Sequence, residues 1–317
     1  MSVYTVIERH DLESLLADYT LGELVTFSGI TAGIENTNYF VTTQAGDYVL
    51  TLFEFTPAAE LPFFLDLMAY LAEHGVPSAH PVANRHGRFL GELQARPAAL
   101  VQRLPGLSVG RPAARHCAAI GAAMARMHLA SVGFASRRES DRGCAWRDEV
   151  ARLVAPRLAS RDRALLETAV EEFRTANFAT LPTGVIHADL FRDNALFEDY
   201  RLTGIIDFYY AHSGAFVYDL AVAVADWCFD EDKRVFDALR ARAMLNAYGD
   251  LRPLLPTERA AWTAALRATG LRFWLSRLKD LHFPRDGVLT HIKDPEPYKR
   301  VLRLASDGAE EFEDLWP

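Results

Sequence analysis

Gly184-Val185-Ile186-His187-Ala188-Asp189-Leu190-Phe191-Arg192-Asp193-Asn194-Ala195-Leu196-Phe197 is the stretch that decides the fold. Val185 and Ile186 are apolar and β-branched and predict a strand, which runs into a polar loop; Ala195–Phe197 predicts a second strand leaving it. A third strand, Leu202–Ile206, delivers Asp207 at its end. Three oxygen-bearing side chains, Asp189, Asn194 and Asp207, therefore fall at strand ends within one small antiparallel unit. Hard oxygen ligands of this kind, completed by water and phosphate, are what Mg²⁺ prefers. A carboxylate beside such a site can orient a hydroxyl and accept its proton. The plainer reading makes Asp189 and Asp193 turn caps and gives Asn194 a left-handed conformation. Turns alone do not call for a further strand ending in Asp207.

Upstream of this unit the chain changes character once. Leu24–Ser28, Asn38–Thr43 and Asp47–Phe53 read as strands separated by glycine-bearing turns. From Glu60 to His74 the apolar period becomes helical, with Leu61, Phe64, Leu65, Met68 and Leu71 on one face and Gly75 and Pro77 ending it. Short strands are expected around Pro81–Ala83 and Phe89–Leu93, and another over Ala98–Gln102. After Leu104-Pro105-Gly106 helices dominate: 113–130, 146–155, 161–177, 216–228, 231–248, 257–281 and 297–312. Only the strand-rich interval 183–207 interrupts them. The expected architecture is α+β and bilobal, with a β-rich lobe over residues 1–103 and a mostly helical lobe over 104–317.

Composition narrows the function. The 317 residues are 50% hydrophobic and 24% charged, which is a folded globular composition rather than a disordered one. A net charge of −8 with no basic face argues against nucleic acid as a partner. No run of about 20 apolar residues occurs, so no membrane span is expected, and Met1–Leu16 lacks the pattern of a signal peptide. Cys117, Cys144 and Cys228 are scattered, odd in number and suited to a reducing cytoplasm. Lysine occurs only at 233, 279, 293 and 299, so the first lobe has none.

The spacing His187-x-Asp189-x-x-x-x-Asn194 followed by Ile206-Asp207-Phe208 resembles the signature of the aminoglycoside phosphotransferase and choline kinase group, relatives of the protein kinases. The likeness extends to the homoserine kinase branch of that group through Tyr218-Asp-Leu-Ala221, Asp226-Trp-Cys228, Leu271-Arg-Phe-Trp-Leu-Ser-Arg-Leu278, His282-Phe-Pro-Arg285 and Thr290-His-Ile-Lys-Asp-Pro295. Gly33-Ile-Glu-Asn-Thr-Asn-Tyr-Phe40 and Leu61-Pro-Phe-Phe64 match in the first lobe. The resemblance implies a protein kinase-like fold that uses ATP and Mg²⁺, with L-homoserine as acceptor. It makes Asp189 the catalytic base and Asn194 and Asp207 the metal ligands, and leaves His187 structural. Other small-alcohol kinases, acting on choline, an aminoglycoside or a methylthio-sugar, and a non-catalytic nucleotide-binding relative remain alternatives. A cation near Asp189 would separate the first from the others, because only homoserine carries a carboxylate.

The nucleotide side reads less directly. Ser28–Gly33, with Gly29 and Gly33, sits where a loop would fold over phosphates, although an ordinary hairpin fits the spacing as well. Val101, Gln102 and Arg103 sit where the backbone would meet adenine. Kinase-like folds place a lysine on the third strand; here Thr51 occupies that position, and Arg85, Arg88 or Arg103 would have to meet the phosphate charge. For the acceptor, Arg192 and Arg272 are candidate carboxylate contacts, and Tyr209, with Tyr210 and Trp227, candidate pocket walls. A solvated charged face or an aromatic core explains such residues equally well.

Overall fold

Thr37–Thr43 alternates buried and half-buried positions along its whole length, the period-two signature of a strand with one face on a core. It belongs to the first of two units in a computed structural model that describes residues 5–30, 36–230, 235–284, 293–307 and 316. One unit ends at Pro105 and the next begins at Gly106. In chain order the first comprises α1 (Arg9–Leu16), β1 (Leu24–Ile30), β2 (Thr37–Thr43), β3 (Gly46–Leu52), α2 (Leu61–Glu73), β4 (Leu90–Leu93) and β5 (Arg96–Gln102). The strands form one antiparallel sheet in the order β1-β2-β3-β5-β4.

A two-residue turn joins β2 to β3, with Thr43 opposite Gly46, and this fixes the register that points Tyr39, Val41, Leu50 and Leu52 to one side. Leu12, Leu15 and Leu16 of α1 complete that core, each buried. The helix is short and carries charges on its other face, so its pattern is weak in the sequence. Each fully buried large apolar side chain contributes about 1.5–3 kcal/mol.

The second unit comprises α3 (Ala114–Ser131), α4 (Cys144–Val154), α5 (Ser160–Thr175), β6 (Thr183–Ile186), β7 (Ala195–Glu198), β8 (Arg201–Ile205), β9 (His212–Ala215), α6 (Phe216–Trp227), β10 (Phe229–Asp230), β11 (Val235–Phe236), α7 (Ala238–Gly249), α8 (Pro256–His282) and α9 (Glu296–Asp307). Two features depart from the sequence expectation. The segment expected to be helical from 231 instead places β11 against β10, and α7 starts only at Ala238, where Asp237 caps it by accepting from the Leu239 and Arg240 N–H groups. The strand β9, which pairs with β6, was not expected.

Helices approach closely where glycine allows it. A Cβ at Gly121 of α3 would land on the Met244 carbonyl of α7, and one at Gly270 of α8 would meet the Leu302 backbone of α9. The buried side chains Trp227, Trp262, Trp274 and Tyr248 fill the interior of this unit.

Candidate active site

β6 ends at Ile186, and the next two residues are held by a buried carboxylate. Asp219 of α6 is fully buried; its Oδ2 accepts the His187 N–H at 3.0 Å and its Oδ1 the Ala188 N–H at 2.7 Å. Ala188 is left-handed at φ +62°, a conformation that costs an alanine about 1–2 kcal/mol and is stabilised here by those two bonds. Asp219 also accepts from His128 Nε2 at 2.9 Å, and His128 Nδ1 accepts the Tyr248 hydroxyl at 2.7 Å. Burial alone would raise the Asp219 carboxyl, but the bonds from His128 and the Ala188 N–H hold it below the usual range. Burial lowers the pKa of His128. Sequence reading gave Asp219 and His128 no role. The available signal was one carboxylate in an otherwise apolar helix, which burial makes too costly to leave without partners.

Asp189 follows this clamp. Its carbonyl accepts the Phe191 N–H at 2.8 Å and the Asn194 Nδ2 at 2.8 Å, and its Oδ2 lies 3.3 Å from the same Nδ2. These contacts set the amide of Asn194 with its nitrogen toward Asp189, leaving Oδ1 as the group able to accept or ligate. Burial pushes the Asp189 carboxyl up to about 8, against the lowering influence of Arg272, with the charges of Asp207 and Asp193 adding to the rise. The Arg272 Nη2 stands 3.9 Å from Asp189 Oδ1.

Asp207 is brought to this place by the β7–β8 hairpin. Ala195 pairs with Ile205, and one step further the Ile206 N–H donates to the Asn194 carbonyl at 3.0 Å. Asp207 then turns left-handed at φ +64°, and its residue is exposed. His187 ties the two segments together: its buried ring donates through Nε2 to the Ile206 carbonyl at 3.0 Å and lies 4.6 Å from the Phe208 ring. This is the structural role expected for it. An amide oxygen and a carboxylate on adjacent strand ends, with a second carboxylate within electrostatic reach, are an all-oxygen set that fits Mg²⁺.

Beside Asp189 lies a small cavity of about 10 Å³, lined among others by Arg142, Ala188, Tyr210, Tyr218 and Arg272. Tyr210 thus stands at a pocket wall, as does Arg272 of α8. Tyr209 is half-buried in the short turn Phe208–Tyr210. Trp227 is core, with its Nε1 donating to the Leu190 carbonyl. Arg192 is tied to its own surroundings: its Nε and backbone N–H both bind Asp226 Oδ2, at 3.0 and 2.8 Å, and Nη1 binds the Gly110 carbonyl at 3.1 Å. A loop arginine next to a half-buried aspartate of α6 anchors the loop.

The residues expected on the nucleotide side belong to the first unit. Gly29 lies on β1 opposite Tyr39, whereas Gly33 lies outside the described residues. Thr51 lies on β3 with its hydroxyl donating to Asn38 Oδ1 at 2.7 Å. The backbone N–H groups of Gln102 and Arg103 donate to the carbonyls of His80 and Asp47, and the Arg103 guanidinium stacks 4.0 Å from the Phe40 ring centroid. What Gln102 and Arg103 keep available at the backbone is therefore carbonyl oxygen.

Residues 26–254 match the model of the phosphotransferase enzyme family. The chain is 50% identical over 316 residues to the homoserine kinase of Methylobacillus flagellatus, covering 100% of this chain and 99% of that one. It is 45% identical to the homoserine kinase of a Janthinobacterium species, covering 98% and 97%. Among solved structures, a spectinomycin phosphotransferase in complex with ADP and spectinomycin superposes with a TM-score of 0.72 at 13% identity, covering 96% and 99%. An amicoumacin kinase in complex with AMP-PNP and Ca²⁺ does so with a TM-score of 0.70 at 17% identity, covering 98% and 96%. These structures share the kinase-like α+β fold described above. With the family model spanning most of its length and relatives half identical from end to end, the chain belongs to the phosphotransferase enzyme family.

Proposed function

We propose that this protein transfers the γ-phosphoryl group of ATP to the hydroxyl of L-homoserine, giving O-phospho-L-homoserine and ADP, the phosphorylation that precedes threonine formation. The observation that carries the choice of acceptor is Arg272, a buried cation 3.9 Å from Asp189. Choline and aminoglycosides bring cations to such a site, and a buried guanidinium there repels them. Homoserine brings a carboxylate, for which arginine is the best-matched partner. The full-length identity to homoserine kinases supports the same reading.

Asp189 holds the acceptor hydroxyl and takes its proton as the oxygen bonds to phosphorus and the bond to the ADP oxygen breaks. Burial gives it a proton affinity suited to base work near neutral pH. The backbone bonds to Asp219 and Asn194 fix its position, so orientation is set before the acceptor arrives. Asn194 and Asp207 would hold Mg²⁺. Bound there, Mg²⁺ neutralises charge developing on the phosphoryl group. In the first unit, Gly29 and Gly33, Thr51, Gln102 and Arg103 are the proposed nucleotide contacts. Arg192, bound by Asp226 and the Gly110 carbonyl, is assigned to anchoring the loop and not to the acceptor carboxylate. None of the described helices is long and apolar enough to cross a membrane. A reducing cytoplasm, where Cys117, Cys144 and Cys228 stay free thiols, is the proposed setting.

A coupled assay of ADP release with Mg²⁺ over L-homoserine, serine, threonine, choline and kanamycin tests the reading. L-Homoserine should show the highest kcat/KM, and Asp189→Ala should abolish turnover while ATP binding persists. Preference for choline or kanamycin, or an Asp189→Ala variant with more than about a tenth of the wild-type rate, overturns it.

A further inference from the structure

Several arginines of the second unit meet a carboxylate: Arg174 meets Asp148, Arg252 meets Glu258, Arg267 meets Glu172 and Arg303 meets Asp162. Around the cavity beside Asp189, Arg142 and Arg147 have no carboxylate partner among the described residues, and Arg272 has only a distant one. Arg147 is buried and gives its donors to neutral oxygens, the Arg142 carbonyl at 2.9 Å, the Ala268 carbonyl at 3.2 Å and the Tyr218 hydroxyl at 3.4 Å. Arg272 has only Asp189, at 3.9 Å, beyond hydrogen-bond length. Arg142 has no carboxylate among the described residues, and its Nε is buried without any partner. Asp141, which also lines the cavity, is closed by Arg138 at 2.6 Å.

The guanidinium groups are nonetheless held in place. Arg142 lies 4.9 Å from the Trp146 ring centroid and 5.5 Å from that of Tyr210, and Arg272 lies 5.1 Å from the same Tyr210 ring. Arg147 fixes the Arg142 backbone through its bond to the Arg142 carbonyl. A rigid, partly desolvated cation with an unmet donor is unfavourable in the empty protein and becomes favourable when an anion closes on it. The cavity, about 10 Å³ or the room of one water-sized group, is lined by both Arg142 and Arg272, so a small anionic group reaching it meets both guanidinium groups.

We propose that Arg142 is a specificity-determining residue, which together with Arg272 recognises the carboxylate of the acceptor. This rests on the homoserine reading and adds to it a residue that sequence alone does not single out. It makes the enzyme a reader of acceptor charge: an otherwise identical alcohol without the carboxylate is a poor substrate because the Arg142 donor stays unmet.

The test compares L-homoserine with L-homoserinamide, which keeps the hydroxyl and ammonium and removes only the negative charge. For the full-length protein with Mg²⁺ and ATP, the ratio of kcat/KM for the acid to that for the amide is measured in wild type, Arg142→Gln and Arg142→Lys. The ratio should fall by about tenfold or more in Arg142→Gln, mainly through the KM of the acid, and by less in Arg142→Lys, which keeps charge but loses the fork. Because the readout is a ratio within each variant, partial loss of folded protein cancels. An unchanged ratio in Arg142→Gln, with homoserine still the preferred acceptor of the wild type, overturns this proposal alone. A wild type that phosphorylates neither compound overturns the homoserine reading and this inference with it. Calorimetry with ATP and Mg²⁺ separates the other source of negative charge: loss of nucleotide affinity in Arg142→Gln, with the acceptor ratio intact, would assign Arg142 to phosphate and sink the proposal.

Discussion

Replacing Asp219 by asparagine keeps the shape of the side chain and removes what it does. The carboxylate accepts three bonds, from the His187 N–H at 3.0 Å, the Ala188 N–H at 2.7 Å and His128 Nε2 at 2.9 Å. An amide has one accepting oxygen. Placed toward Ala188, it turns its NH₂ on both the His187 N–H and His128 Nε2; flipped, it abandons Ala188. At least one buried N–H is orphaned in either case, at about 1–3 kcal/mol, and the remaining bonds lose about 1 kcal/mol each with the charge. The expected loss is about 3–5 kcal/mol, in line with breaking a buried ionic contact. For a unit of this size that lowers the melting temperature by about 6–20 °C. The effect reaches activity because Ala188 is left-handed and adjoins Asp189. Without the clamp the loop relaxes, and a shift on the order of 1 Å costs about a hundredfold in turnover. Thermal unfolding and steady-state rates with saturating ATP read both effects. Tyr248→Phe, which strips His128 Nδ1 of its partner, should cost about 1 kcal/mol alone and less in the Asp219→Asn background, since the two act through one imidazole. Wild-type melting and kcat in Asp219→Asn, or strict additivity with Tyr248→Phe, would refute the reasoning.

Acid sensitivity follows from three histidines. Burial lowers the pKa of His128, His187 and His212, so between their folded values and 6.5 the unfolded chain binds protons that the native chain does not. Their contribution is complete above pH 6.5 and declines as pH falls below it, whereas the raised Asp189 carboxyl acts in the opposite direction over the same range; in Asp189→Asn, where that opposing proton uptake is removed, the melting temperature should drop between about pH 7.5 and 5.5, and a flat profile would contradict this. Asp207→Asn should weaken nucleotide binding about tenfold or more with Mg²⁺ present and little without it, measured by calorimetry; an unchanged metal dependence removes Asp207 from the ligand set. Gly121→Ala forces a methyl against the Met244 backbone and should cost about 1–3 kcal/mol in urea unfolding. Gly110→Ala, with open space around it, should stay within about 0.5 kcal/mol of wild type.

The sequence was most legible where chemistry and local geometry coincide. A run such as Val185–Asn194 carries its strand, its loop and its oxygen donors in consecutive residues, so the hairpin that joins Asn194 to Asp207 needs no distant contact to be foreseen. The long helices announce themselves by period; α8, expected over 257–281, runs Pro256–His282. Where a segment is short or its partner is remote, the signal fails. Eight residues of α1 carry too little period to stand out, β9 is a strand only because β6 offers it an edge, and the helix expected from 231 yields to the β10–β11 pair before Asp237 caps α7.

Arginine shows the same limit at the site. The chain has four lysines against thirty arginines, so residue type marks no functional cation. Arg192 sits inside the loop and looked like a ligand for an acid, yet Asp226, thirty-four positions on, claims it. Arg142 lies in no motif and emerges only when its partners are counted. A spectinomycin phosphotransferase and an amicoumacin kinase share this fold, so on the proposed reading the catalytic loop does not state the acceptor: a base at Asp189 would perform the same proton transfer on any hydroxyl. On that reading selectivity would reside in charges such as Arg142, whose Nε has no partner among the described residues. A half-buried cation with a buried, unmet Nε is legible in three dimensions, and in one dimension it is one arginine among thirty.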